Sequence, residues 1–260
     1  MLLPRLTPCL LIQNGGLVKT KGFEAPKYVG DPINAVRIFN EKEVDELIIL
    51  DIDATIKNRE PNYELISKLA NECRMPLSYG GGVTRVEQIE KIIGLGVEKV
   101  SVSAAAVSSG NLISEVSEHI GSQSISVVID VKKTGLLRRY EVVTHNGKRR
   151  TGLDPVKFAE RMQDLGVGEI LLNSVDLDGT MQGYDLDLVA RVKERVSVPM
   201  TILGGVGSLE HVTMLWKRHG LIGAAAGSLF VFKGKYNAVL INYPNINEKA
   251  ALLERAGWLS

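Results

Sequence analysis

Cysteine is scarce in this chain. Cys9 and Cys73 are its two examples in 260 residues, and neither sits in a C-x-x-C. That excludes a disulfide framework and points to a reducing compartment, so a cytoplasmic location is expected. Charge of one sign is also missing. The net charge is +1, which excludes the broad basic footprint of a nucleic-acid binder. No run of 18 apolar residues occurs, so no membrane span is expected. The four histidines, His119, His145, His211 and His219, lack paired ligand spacing, and Ser and Cys nucleophile motifs are absent. No metal and no cofactor are therefore called for. The apolar start, MLLPRLTPCLLIQNGG, has neither a basic n-region nor an A-x-A-like site, and it reads as a buried first strand.

What the chain does have is alternation. Apolar residues make up 45%, and short β-branched runs alternate with amphipathic stretches throughout. Strand candidates are residues 5–12, 46–53, 77–82, 99–104, 125–130, 169–176, 200–205 and 223–227. Helical patterns such as YELISKLANEC, RVEQIEKIIGLG and DPVKFAERMQDLG lie between them. Continuous apolar strands separated by helices mean a parallel sheet covered on both faces. Eight such units predict an α/β fold, a (β/α)8 TIM barrel forming a single domain over residues 1–260.

Two segments depart from simple alternation. Residues 13–31 read as a long loop after the first strand. Residues 131–153 contain the alternating run RYEVVTH and then Asn146-Gly147, which reads as a small β-hairpin inserted after the fifth strand. There is also an internal repeat. Glu46 and Glu169 stand 123 residues apart, as do Asp53 and Asp176, and as do the pairs Gly81-Gly82 and Gly204-Gly205. The chain reads as two half-barrels of four units each.

Each Gly-Gly pair ends a strand and is followed, one unit on, by a small-residue strand end that opens a helix. Exposed N–H groups and the positive end of a helix suit a phosphate dianion, and glycine permits close approach. The second half offers Gly204, Gly205, Gly227 and Ser228, the usual phosphate position in such barrels. The first half offers Gly81, Gly82, Ser103 and Ala104. For one pair alone, a tight turn explains the glycines equally well. Two related copies favour a small-molecule substrate carrying two phosphates.

Acids cluster at strand ends: Asp51, Asp53, Asp130, Asp176 and Asp178. A carboxylate there can transfer protons if burial raises its pKa. A helix cap or Asx turn is the competing reading, strongest for Asp53 and weakest for Asp130. Asp178-Gly179-Thr180 reads as a turn able to hydrogen-bond substrate. Lys19, in the first loop, is placed to close over a phosphate; a solvated lysine is the competing reading.

RLTPCLLI, GLVKTKGF, Gly30-Asp31-Pro32, DELIILDID, YGGGV, EKVSVSAAAV, GSQSISVVID, GEILLNSVDLDGTMQGYD, LGGVG and GSLFVF together resemble the HisF-type cyclase subunit of imidazole glycerol phosphate synthase, over the whole chain. The resemblance implies a barrel that receives ammonia at its bottom face from a HisH-type glutaminase and carries it inside to a substrate at the top. It implies an ammonia gate formed by Arg5, Glu46, Lys99 and Glu169, and a glutaminase-facing surface at Asp45, Glu98 and Gln123.

The top face departs from that pattern. Of the family's two acid–base aspartates, one is present as Asp130 and the other falls at Leu11. Ser103-Ala104 stands where the family has Asn-Thr, and Leu203 replaces a usual Ser. An intact channel with altered chemistry resembles the HisF-like proteins of bacterial surface-polysaccharide (O-antigen) gene sets. Those work with a glutaminase and a separate sugar amidotransferase protein to turn an acetamido group of a nucleotide-activated sugar into an acetamidino group. Amidation is therefore the first expectation. An ordinary cyclase is the alternative, and a non-catalytic scaffold is the third reading.

Overall fold

The structure, a computed structural model, describes residues 2–259. In chain order the strands of its main sheet are β1 (Leu6–Gln13), β2 (Gly16–Lys21), β3 (Glu24–Gly30), β4 (Leu47–Asp51), β5 (Leu77–Gly80), β6 (Lys99–Val102), β7 (Ile125–Thr134), β8 (Arg139–Thr144), β9 (Arg149–Arg150), β10 (Glu169–Ser174), β11 (Met200–Leu203) and β12 (Gly223–Ala226). Strands β1, β4, β5, β6, β7, β10, β11 and β12 pair in parallel in that order, and β12 returns to β1. The result is a closed eight-stranded (β/α)8 barrel, and each of the eight apolar runs supplies one of its strands.

The helices outside the barrel are α1 (Pro32–Glu41), α2 (Tyr63–Glu72), α3 (Val86–Gly94), α4 (Ala104–Ser108), α5 (Asn111–His119), α6 (Pro155–Asp164), α7 (Leu186–Lys193), α8 (Leu209–His219), α9 (Ser228–Val231) and α10 (Ile246–Arg255). Local chemistry explains where they begin. Asp31 accepts from Asn34 N at 2.9 Å with Pro32 opening α1, and Asp154 accepts from Val156 N at 3.0 Å with Pro155 opening α6. An Asp cap followed by Pro leaves no orphan donor wasted at the first position. These two caps are again 123 residues apart, so the repeat extends to helix starts. Each helix buries one stripe; in α1 it is Ala35, Val36 and Phe39.

Strand alternation divides the apolar residues into two cores. Leu6, Leu10, Ile12, Ile49, Ile129 and Leu172 belong to the large core shared with the helices. Cys9, Ile48, Val128, Leu171, Leu203 and Ala225 form a separate cluster inside the barrel, with Leu11 and Leu50 packed on it.

Both irregular segments turn out to be sheet. Residues 13–31 are not a loop. Asn14 (φ 50°) and Gly15 (φ 78°) make a two-residue turn, so β2 runs back antiparallel along β1 and β3 pairs with β2. The insertion after the fifth barrel strand is also larger than one hairpin. β7 continues past the barrel to Thr134, turns at Gly135–Arg138, and returns as β8; the Asn146-Gly147 turn then leads to β9.

Candidate functional site

The barrel carries polar side chains at both of its ends, with layers of buried side chains between them. At the bottom, Arg5 donates to Glu46 at 2.7 Å and to Glu169 at 2.6 Å. Lys99 donates to Glu169 and stands 3.6 Å from Glu46. The four residues read from the sequence thus form one closed ring of alternating sign. Burial works against the Glu169 carboxylate, but Lys99 and Arg5 outweigh it and hold its pKa below the usual range. Buried charges persist only when paired in this way. Ser78 donates to Glu46 at 3.1 Å and Thr201 to Glu169 at 2.5 Å, the same arrangement once in each half.

Above the ring lies a layer of buried hydroxyls, Thr7, Ser78, Ser101, Ser126 and Thr201. Above these comes the apolar layer around Cys9, Val128 and Leu171. The mouth follows. Its cavity is lined by Leu11, Lys19, Thr20, Leu50, Asp51, Gly81, Gly82, Ser103, Ala104, Asp130, Asn173, Asp178, Gly179, Gly204, Gly205, Gly227 and Ser228, among others.

Asp130 sits on β7 beside Asn173 of β10, whose Nδ2 donates to Asp130 Oδ1 at 2.9 Å. Burial pushes the Asp130 pKa up to about 7, the Asn173 hydrogen bond opposes the rise, and the negative charge of Asp178 adds to it. A carboxyl poised there can exchange protons at neutral pH. Leu11 faces Leu50 across the β1–β4 ladder, as Asp130 faces Asn173 across β7–β10. The mouth therefore has an apolar side and a polar side, and no carboxylate stands in the place of Leu11.

The glycine pairs are needed for space. A Cβ on Gly81 would lie 2.3 Å from Asp51 O, and one on Gly204 would lie 2.5 Å from Ser174 O, both at positive φ. Asp51 and Ser174 are again 123 apart. Short helices α4 and α9 open at the mouth after Ser103 and Gly227, and no side chain caps either.

Lys19 lies on β2, not on a loop. It is buried, and its Nζ donates to Cys9 O at 2.7 Å. It sits so close to Gly227 that a Cβ there would stand 2.0 Å from Nζ. Burial lowers its pKa. Thr20 donates to Asp178 at 2.9 Å, and Gly22 N to Asp178 O at 2.9 Å, which ties the hairpin to the mouth. Thr180 is not among the lining residues; its hydroxyl turns back to Leu177 O at 2.8 Å. Asp53 and Asp176 also serve the frame. Asp53 pairs with Lys57 at 2.7 Å and accepts from Asn14 N, while Asp176 accepts from Lys133 N at 2.8 Å. At the bottom, Glu98 and Gln123 are exposed, but Asp45 is occupied by Leu6 N and Lys249 of α10.

Sequence reasoning did not find Asn173, Thr20 or Asn146. Asn173 was accessible by counting every second residue upward from Glu169 through Leu171.

Among the described residues no cluster of His, Cys, Asp or Glu could hold a metal, and no helix is long and apolar enough to cross a membrane. A closed parallel barrel with a charge ring at one end and a glycine-lined mouth at the other defines a (β/α)8 barrel with its site at the strand C-termini. Residues 5–237 match the family described as histidine biosynthesis protein. A protein of Leptospira interrogans, provisionally named an imidazole glycerol phosphate synthase subunit HisF, is 54% identical over 252 residues, 97% of this chain and 99% of its own length. One from Pseudomonas aeruginosa with a similarly provisional name is 51% identical over 244 residues, 94% and 97% of the two lengths. The imidazole glycerol phosphate synthase subunit HisF of Streptomyces coelicolor is 42% identical over 207 residues, 80% and 82%. The chain belongs to the HisF family.

Proposed function

We propose that this chain is the synthase subunit of a glutamine amidotransferase of the imidazole glycerol phosphate synthase kind. A HisH-type glutaminase docks at the bottom face, ammonia passes the charge ring and the lumen, and it reacts at the mouth with a substrate held by its phosphates. One observation carries the reading: the barrel closes on the Arg5–Glu46–Lys99–Glu169 ring at one end and opens on a cavity lined by Asp130 at the other. The names borne by the relatives support the cyclase reaction, in which a ribulosyl aminoimidazole carboxamide ribotide and ammonia give imidazole glycerol phosphate and an aminoimidazole carboxamide ribotide. Lys19, Gly204, Gly205, Gly227 and Ser228 would hold one phosphate. Gly82 and Ser103 would hold the other, and Asp178 and Gly179 would contact the ligand between them. Asp130 would move the protons.

Leu11 favours a second reading. A mouth with one half of an acid–base pair suits a conductor that supplies ammonia for sugar amidation with a further protein, although none of the three relatives' names mentions a sugar. The test is the purified barrel with ammonium and the cyclase substrate, run beside barrel, glutaminase and glutamine with candidate nucleotide sugars and read by mass spectrometry. Turnover of the first at ordinary rates supports the cyclase and removes the sugar reading. Amidated sugar with a silent cyclase reverses that order, and silence in both leaves a binding scaffold.

A further inference from the structure

Asn173 uses only half of its amide. Its Nδ2 donates to Asp130, while its Oδ1 is buried and has no hydrogen-bond partner. The residue is 8% exposed and lines the mouth cavity. Oδ1 lies against the Gly204 turn, where a Cβ would stand 2.9 Å from it. An acceptor left bare in a buried place is costly unless a donor arrives. Leu171 occupies the layer just below on the same strand, and Leu203 on β11 is the register neighbour of Asn173 itself. Asn173 therefore stands where the apolar lumen ends. On the other side of the mouth, Leu11 and Leu50 offer no acceptor.

We propose that Asn173 Oδ1 receives ammonia as it leaves the lumen, accepting one N–H so that the nitrogen lone pair stays directed into the mouth beside Asp130. The source of the ammonia rests on the synthase reading above; the acceptor itself rests on the geometry. The apolar layer passes neutral NH3 and resists NH4+, whose desolvation is far costlier. A donor at the exit would cap the lone pair; an acceptor leaves it free. In the step that follows, the lone pair forms the C–N bond and the carbon's π pair moves onto its own heteroatom. The proton that the nitrogen then sheds passes to the Asp130 carboxylate next to it. Asn173 also acts as a positioning residue, because its Nδ2 fixes the orientation of that carboxylate.

Two measurements test this. With external ammonium as nitrogen source, Asn173→Ala raises KM for ammonia by about tenfold, the scale of one net hydrogen bond. KM for the phosphorylated substrate stays put, and Asn173→Ser, which keeps an acceptor oxygen, recovers most of the loss. An unchanged ammonia KM, or a shift confined to the phosphorylated substrate, overturns the assignment. The second measurement needs no reaction. Ammonium chloride titrated into the wild-type protein at pH 9.5 shifts the side-chain amide resonance of Asn173, and no such shift is seen when potassium chloride replaces it. A silent resonance also overturns the assignment. Failure of the wild type to turn over any substrate, with the resonance still moving, counts against the synthase reading alone.

Discussion

Leu11 pairs with Leu50 and Asp130 with Asn173, so Leu11 and Asp130 hold the same strand position in the two half-barrels, and only Asp130 carries a carboxyl. Burial is what sets Asp130 apart, since it lifts the pKa to about 7 from an ordinary value near 3.8. The sign of the consequence is fixed. The folded protein holds the proton more tightly than the unfolded chain, so ionising Asp130 costs stability. That cost is absent below pH ~4, grows between ~4 and ~7, and is complete above ~7. Asp130→Asn should therefore melt above the wild type at pH 8, with the gap closing at pH 5; a gap independent of pH would mean that burial does not govern this carboxyl. The same variant should lose roughly 10²–10⁴-fold of the ammonia-dependent rate. Leu11→Asp should raise cyclase turnover, checked by imidazole glycerol phosphate formation, because it supplies the opposing acid at a position already lining the mouth. At this scale Asp130 was legible because it ends a recognisable apolar run, Leu11 only through the family resemblance, and Lys19 because it falls in a Gly-containing segment. The inward position of Asn173 could be counted from Glu169, but its unfilled acceptor could not, because no residue pattern encodes it.

Elements were legible in proportion to how fully they are buried. The eight barrel strands are buried on both faces and rich in apolar residues, so they announce themselves. β3 does not: Glu24 to Tyr28 are all exposed, so its pairing with β2 leaves no hydrophobic period to read. Its partner was signalled by Asn14-Gly15, a two-residue turn signature of the kind that was recognised at Asn146-Gly147. The hairpin matters because it converts a mobile-looking lysine into a fixed one. Lys19 is held on a strand whose next residue, Thr20, is bonded to Asp178, and Gly179 leaves room for that contact: a Cβ there would stand 2.3 Å from Thr20 O at φ +68°. Gly179→Ala should push the hairpin off the mouth. Its expected result is a rise of about tenfold or more in KM for the phosphorylated substrate, the loss of one charge-assisted contact, with ammonia KM little changed. Lys19→Met should do the same without touching the hairpin. If only Gly179→Ala has an effect, the strand acts as a lid and the lysine charge is incidental.

Across the whole molecule, the 123-residue repeat places like residues in like jobs from the ring to the glycine turns of the mouth, and diverges at the inward strand ends. Glu46 and Glu169 both join the ring; Ser78 and Thr201 both support it; Gly81 and Gly204 make the same close approach. Only at the mouth does one half become Leu11 and Leu50 while the other keeps Asp130 and Asn173. Ring and mouth are thus physically separate, with two layers of side chains between them, and under the proposed function variants at each end should fail in different ways. Lys99→Met leaves two glutamates sharing Arg5, and breaking a buried pair of this kind costs roughly 3–5 kcal/mol. The altered ring should admit or leak ammonia differently while leaving Asp130 untouched. With glutamine carrying 15N in its amide and unlabelled ammonium in the medium, the wild-type pair should deliver mostly labelled nitrogen to product. Lys99→Met should deliver a larger unlabelled share, yet keep its rate with saturating external ammonium. A labelled fraction equal to that of the wild type would make the ring a structural plug. A lost ammonium rate would place its effect at the mouth, which the layers between them argue against.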